Sequence, residues 1–153
     1  MSFFSYEQFA FFCFLNSYSD SNLIESTKDD RWHHICFSWT NSDGSWQLYL
    51  DGDLITNDTA GLQKGHTIKG NGIVTLGQDQ DLDDSGSCGG EFSSGQSFQG
   101  SLTNLNLWSF KRSVEKIQEM SQRCLLGEGD VLKWSDFKSN LRGQSLKIGR
   151  AHV

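Results

Sequence analysis

From His34 to Thr40 the chain alternates with a period of two. Ile35, Phe37 and Trp39 share one face of an extended segment, and His34, Cys36 and Ser38 share the other. Asn41-Ser42-Asp43-Gly44 supplies a turn cluster, and Trp46, Leu48 and Leu50 then resume the alternation. Asp51-Gly52 separates that run from Asp53-Leu54-Ile55. An Asp-Gly pair between alternating runs predicts a two-residue hairpin, because a type I′ turn needs positive φ at both central residues. Three successive strands with tight turns between them commit this stretch to an antiparallel sheet.

The rest of the chain adds strands around this meander. Phe9 to Leu15 is an apolar run read as a buried strand. It is far short of the ~18 residues of a membrane span, and it lacks the basic start and small-residue cleavage site of a signal peptide. Asn57 to Gly70 is polar and loop-like, and begins with the glycosylation sequon Asn57-Asp58-Thr59. Ile73, Val74 and Leu76 form a short apolar strand. Phe98, Gly100 and Leu102 share one parity while Leu105 and Leu107 share the other, which predicts a bulge or a strand buried on both faces. Lys111 to Arg123 is the helix candidate, near 113–123, with Ser113 as its cap and Val114, Ile117 and Met120 as its inner stripe. Val131, Leu132 and Trp134 read as a late strand. One short helix among six or more short strands predicts an all-β, antiparallel sandwich. A length of 153 residues suits one such domain.

Charge and motif content exclude several functions. Lys and Arg number 13 against 19 Asp and Glu, a net charge of −6, which disfavours a nucleic-acid-binding face. No nucleophile elbow, dinucleotide fingerprint or P-loop is present, so an enzyme is not expected. The four cysteines, Cys13, Cys36, Cys88 and Cys124, allow three full pairings and form no Cys-x-x-Cys. His33, His34 and Cys36 lie close in sequence, but neighbours on a strand point to opposite faces, so they are read as histidines beside a core cysteine. Gly77 to Asp84 is densely acidic. Asp79, Asp81 and Asp83 fit the first positions of an EF-hand, but Asp84 stands where that loop needs glycine and Gly90 where it needs glutamate.

His34-Ile35-Cys36-Phe37-Ser38-Trp39 resembles the pentraxin signature His-x-Cys-x-Ser/Thr-Trp, although Asn41 occupies the place of its final Ser or Thr. Asp43-Gly44, Trp46 and Asp51-Gly52 resemble the family's next hairpin. Leu76-Gly77-Gln78-Asp79-Gln80-Asp81 resembles its Leu-Gly-Gln-Glu-Gln-Asp loop. Gly89-Gly90, Phe92, Gln96-Ser97-Phe98 and Gly100 resemble the continuation, with an insertion from Leu82 to Cys88, and Asn106-Leu107-Trp108 resembles the Asn-x-Trp before the family's helix. The resemblance covers about Arg31 to Phe137. It implies a concanavalin A-like, pentraxin-like jelly-roll sandwich. It further implies an extracellular, secreted, ring-forming protein of the innate-immunity type, one that binds phosphocholine-type head groups or glycans through calcium.

By that resemblance the metal ligands are Asp79, the backbone carbonyl of Gln80, Asp81 and Gln96. Two departures weaken the set to a partial calcium site. Ser93 stands where the family places a glutamate, and no Asp-Asn pair follows Phe3-Phe4-Ser5-Tyr6. The family's partner for Cys36 lies in an early strand, and Cys13 falls where the family has a different strand. Cys124 resembles a late cysteine whose partner is missing from Gly149 to Val153. Residues 1–153 are therefore expected to form one pentraxin-like domain that is incomplete at its N-terminal side. The alternative is a structural or adhesive module of a larger extracellular protein, with the calcium site degenerate.

Overall fold

The structure, a computed structural model, describes residues 29, 31–59, 61–68, 74–77, 98, 101–123 and 127–137 in full, and 9–15 and 138–139 by backbone alone. In chain order the elements are β1 (Phe9–Leu15), β2 (His34–Thr40), β3 (Trp46–Leu50), β4 (Asp53–Asp58), β5 (Asn106–Trp108) and the helix α1 (Val114–Gln122). A short 3-10 helix, Trp134–Ser139, follows. The strands form one antiparallel sheet in the order β4-β3-β2-β1-β5.

The position of β2 explains its composition. It is the middle strand, paired along both edges, and both its faces are covered: Ile35 and Trp39 are buried on one side and Cys36 and Ser38 on the other. The helix seats on the second side. Cys36, Tyr49, Trp108, Ile117 and Met120 form one buried cluster. The less apolar parity of β2 thus faces the helix, and the small Cys36 leaves room for Tyr49 and Trp108 beside it. On the opposite face Phe37 stacks on Trp46, with centroids 6.0 Å apart, and the Trp39 indole donates to the Leu62 carbonyl at 2.7 Å.

The expected hairpin is present. Leu50 pairs with Asp53, and Asp51 and Gly52 have φ of 53° and 93°. Gly52 is also packed tightly, since a Cβ there would lie 2.7 Å from Ser121 Oγ and 3.2 Å from Gln118 Cα. The turn therefore rests directly on α1. The helix starts where its cap predicts, with Ser113 Oγ accepting from the Lys116 amide at 3.3 Å. Ile117 and Met120 are buried, but Val114 is exposed.

Several expectations need correction. The parity switch near residue 104 is a left-handed residue, Asn104 (φ 56°), which turns the chain just before β5. Val74 to Gly77 joins no strand, and Val74 is exposed; Ile73 lies outside the described residues. The late strand shrinks to one bridge, Leu107 with Leu132. Side-chain oxygens capture the next amides: Asp136 Oδ2 takes Lys133 N at 2.9 Å, and Asn106 Oδ1 takes Trp134 N at 3.3 Å. β4 extends to Asp58, so Asn57 lies on a strand and not in the expected loop.

The register also sets Cys13 directly opposite Cys36. Cys36 is fully buried and disulfide-bonded. By the family resemblance Cys13 is not the obvious partner of Cys36, yet its strand, β1, lies against β2 along its whole length.

Candidate functional site

The four residues expected to bind calcium, Asp79, Gln80, Asp81 and Gln96, lie outside the described residues, as do Ser93, Cys88 and Cys124. The two ends of their loop are described. The Phe98 amide donates to the Gly77 carbonyl at 2.9 Å. Gly77 has φ of 81°, a backbone state that suits glycine, and a Cβ there would sit in ordinary contact with Phe98 Cβ. This bond closes the neck of the segment 78–97. Asp79 is the second residue beyond one side of the neck, and Gln96 is the second residue before the other.

Among the described residues the densest polar constellation surrounds His33, at the entry to β2. The imidazole is buried, and each of its nitrogens meets a carboxylate. Nδ1 lies 2.8 Å from Asp51 Oδ2 and Nε2 lies 2.9 Å from Asp29 Oδ1. Asp51 Oδ1 accepts the His34 amide at 2.8 Å, and the Asp51 amide donates to the His34 carbonyl at 2.8 Å. The Arg31 side chain pairs with Asp29. A neutral imidazole has one donor, so two carboxylates can both be satisfied only by the imidazolium. Burial opposes the charge on His33, but the bonds to Asp29 and Asp51 outweigh it and raise the pKa. The His33 bond, helped by Arg31, holds the Asp29 carboxyl well below the usual range.

His34, one residue on, behaves oppositely. Burial drives its pKa down to about 4, against a weak pull upward from Asp51. Its Nε2 sits 3.3 Å from Cys36 Sγ. With both nitrogens of His33 committed, the cluster offers neither a free general base nor a metal ligand from that ring. No group of three or more His, Cys, Asp or Glu placed to hold a metal is found among the described residues. The cluster is an electrostatic clasp that ties residue 29 and the β3–β4 turn to the start of β2. Sequence reasoning missed it because Asp51 is 18 residues from His33, and the Asp-Gly pair was accounted for by its turn alone.

A second hub lies at β5. Asn106 is buried with all its bonds made. Its Nδ2 donates to Asn104 O at 2.9 Å and Asn104 Oδ1 at 3.1 Å, while its Oδ1 accepts from Gly129 N at 3.0 Å and Trp134 N. The asparagine of the Asn-Leu-Trp motif is therefore a structural knot. Trp108, two residues on, carries the Arg112 guanidinium 4.7 Å above its ring, and Phe110 lies 4.6 Å from the same group.

A model described as "Pentaxin family" matches residues 4–147. The chain is 39% identical over 121 residues to "Sushi, von Willebrand factor type A, EGF and pentraxin domain-containing protein 1" of Rattus norvegicus, covering 78% of this chain and 3% of that protein. It is 40% identical over 116 residues to "Neuronal pentraxin receptor" of Mus musculus, covering 76% of this chain and 22% of that one. The chain thus spans a small part of the length of these relatives. Among solved structures it is similar to "Crystal structure of native heptameric SAP-like pentraxin from Limulus polyphemus". The TM-score is 0.59 at 20% identity, over 84% of this chain and 68% of that one. That likeness shows the fold, an antiparallel β-sandwich, and the described residues contain one α-helix. No helix among the described residues is long and apolar enough to cross a membrane.

Proposed function

We propose a calcium-dependent ligand-binding role from one premise: this chain belongs to the pentaxin (pentraxin) family. Its targets are phosphocholine-type head groups or glycans, met outside the cell, and its assembly is a ring of copies. It performs no catalysis. The observation that carries this reading is the neck at Gly77 and Phe98. With the neck closed, Asp79 and Gln96 each lie two residues from it, a contour length of about 7 Å on either side. A closed neck of this kind supports a reading in which both donors serve one ion.

The donor chemistry fits a hard cation. Asp79 and Asp81 supply carboxylates, Gln96 an amide oxygen and Gln80 its backbone carbonyl, and calcium takes six to eight oxygens of these kinds. The ion would in turn present a positive centre to a phosphate or an acidic sugar, which a chain of net charge −6 would otherwise repel. Ser93, a neutral residue at a position where the family resemblance expects glutamate, reduces the charge on the site and lowers its affinity. The disulfide at Cys36 accords with an oxidising compartment.

One observation favours a second reading. The rat relative is by its name a multidomain protein, and this chain covers 3% of it. In that reading the sandwich is an adhesive module that binds a protein partner without calcium. Thermal melts in calcium and in EDTA, followed by capture on immobilised phosphocholine, separate the two. An ion that binds only the folded state raises the midpoint by RT ln(1 + [L]/Kd) in free energy. A calcium-dependent rise with EDTA-reversible capture supports the first reading. A cooperative melt indifferent to calcium supports the second.

A further inference from the structure

We infer that Asn57 is an N-glycan acceptor and that its glycan covers the outer side of β4, the end strand of the sheet among the described residues. The sequon is Asn57-Asp58-Thr59, with no proline at its centre. The fold presents it rather than hiding it. Asn57, Asp58 and Thr59 are all exposed, and Asn57 is held in register opposite Gln47 near the end of β4. A bulky hydrophilic group is tolerated only where the chain meets solvent on this scale.

The strand itself gives such a group something to do. Among the described residues β4 pairs with β3 alone, at the end of the sheet order. No described strand pairs with its outward backbone donors and acceptors, and an edge left in that state is a template for another strand. Leu54 and Ile55 stand exposed on it at 45% and 49%, flanked by the shift in pairing between Leu48 and Tyr49. Edges of this kind are commonly blunted by proline, and the chain contains none. Asp53 and Asp58 place charges at the two ends of β4, and its middle carries none. A hydrated glycan at Asn57 sweeps that middle and keeps a second apolar strand from docking.

The inference rests on the extracellular reading, since only the secretory route attaches such glycans. The test therefore supplies that route. The full chain is expressed behind an unrelated secretion signal in a eukaryotic host, and the secreted protein is treated with peptide-N-glycosidase. The expected result is a mobility shift, with Asn57 converted to Asp in the recovered peptide. Asn57→Gln and Thr59→Ala both abolish the shift, and Thr59→Ser keeps it. Unmodified Asn57 in the secreted chain overturns the acceptor assignment and leaves the calcium and localisation readings untouched. For the edge, light scattering across a concentration series compares the glycosylated chain with both unglycosylated variants. Growth beyond the glycosylated size, reversed by adding Ile55→Lys, is expected. Equal sizes at every concentration overturn the shielding role.

Discussion

His33 and Asp51 meet at 2.8 Å across the root of β2, and the same carboxylate also takes the amide of His34. One aspartate thus sits beside two histidines that titrate in opposite senses. His33 holds its proton more tightly folded than unfolded, so its contribution is complete below the ordinary value of 6.5 and fades as pH rises through the raised folded pKa. His34 prefers to be neutral when folded. Its contribution is complete above 6.5 and is lost as pH falls toward about 4. Stability should peak near pH 6.5, each limb falling by at most ~1.4 kcal/mol per pH unit. Urea titrations from pH 4 to 9 test this. His33→Gln should flatten the alkaline limb and cost about 2 kcal/mol at pH 6, the scale of a hydrogen bond to a charged group. His34→Gln should flatten the acid limb. An alkaline fall unchanged in His33→Gln would show that the clasp is not its source.

In the proposed reading, calcium is held by the loop carboxylates. Asp79→Ala and Asp81→Ala should each remove most of the calcium-induced rise in Tm, and the double variant all of it. Ser93→Glu should enlarge the rise, by returning a charge to the site. Isothermal titration with calcium alone gives the same ranking without any organic ligand. A double variant that still binds calcium as tightly as the parent would place the ion elsewhere.

Asn106 uses two donors and two acceptors inside the core. Asn106→Asp keeps the shape but sets a carboxylate against the Asn104 oxygens. It should cost about 3 kcal/mol at neutral pH, the upper end for a buried group left unsatisfied. Asn106→Ala should also destabilise, through orphaned amides at Gly129 and Trp134. Denaturant midpoints at pH 4 and pH 7 distinguish the two, since only the aspartate variant should recover as its carboxyl protonates. Equal midpoints for parent and Asp variant at pH 7 would contradict the hydrogen-bond assignment.

Cys13 and Cys36 face each other in register, and Cys36 is disulfide-bonded. Non-reducing peptide mapping should recover the two as one linked pair. Cys13→Ser and Cys36→Ser should destabilise alike, by ~2–5 kcal/mol, and reductant should lower the parent Tm but not theirs. A linked Cys36–Cys88 or Cys36–Cys124 peptide would overturn the pairing.

What was legible in the sequence followed from neighbours along the chain. The alternation of His34 to Thr40 depends on adjacent residues, the Asp51-Gly52 turn on two residues, and the Ser113 cap on a contact three residues away. Each was read correctly because its physics is local. The clasp links residues 18 apart, and the Asn106 knot reaches across 23 and 28. No periodicity encodes those separations. Family resemblance marked the asparagine but not its job. The face on which α1 docks was also not legible, because Ile35, Phe37 and Trp39 look more core-like than His34, Cys36 and Ser38. Both faces are covered, and the smaller side chains make room for the helix.

The turn at Asp51 and Gly52 is committed in two directions at once. The Asp51 side chain holds β2, and Gly52 lies against α1 with no room for a methyl group. Hairpin tips are ordinarily where a chain accepts extra residues, epitope tags or a new pair of termini. This one is an internal joint. A peptide inserted between Asp51 and Gly52 would part the histidine from its aspartate and lift the helix from the sheet. Engineering of this domain should leave that tip at its present length and take its handles from other exposed turns.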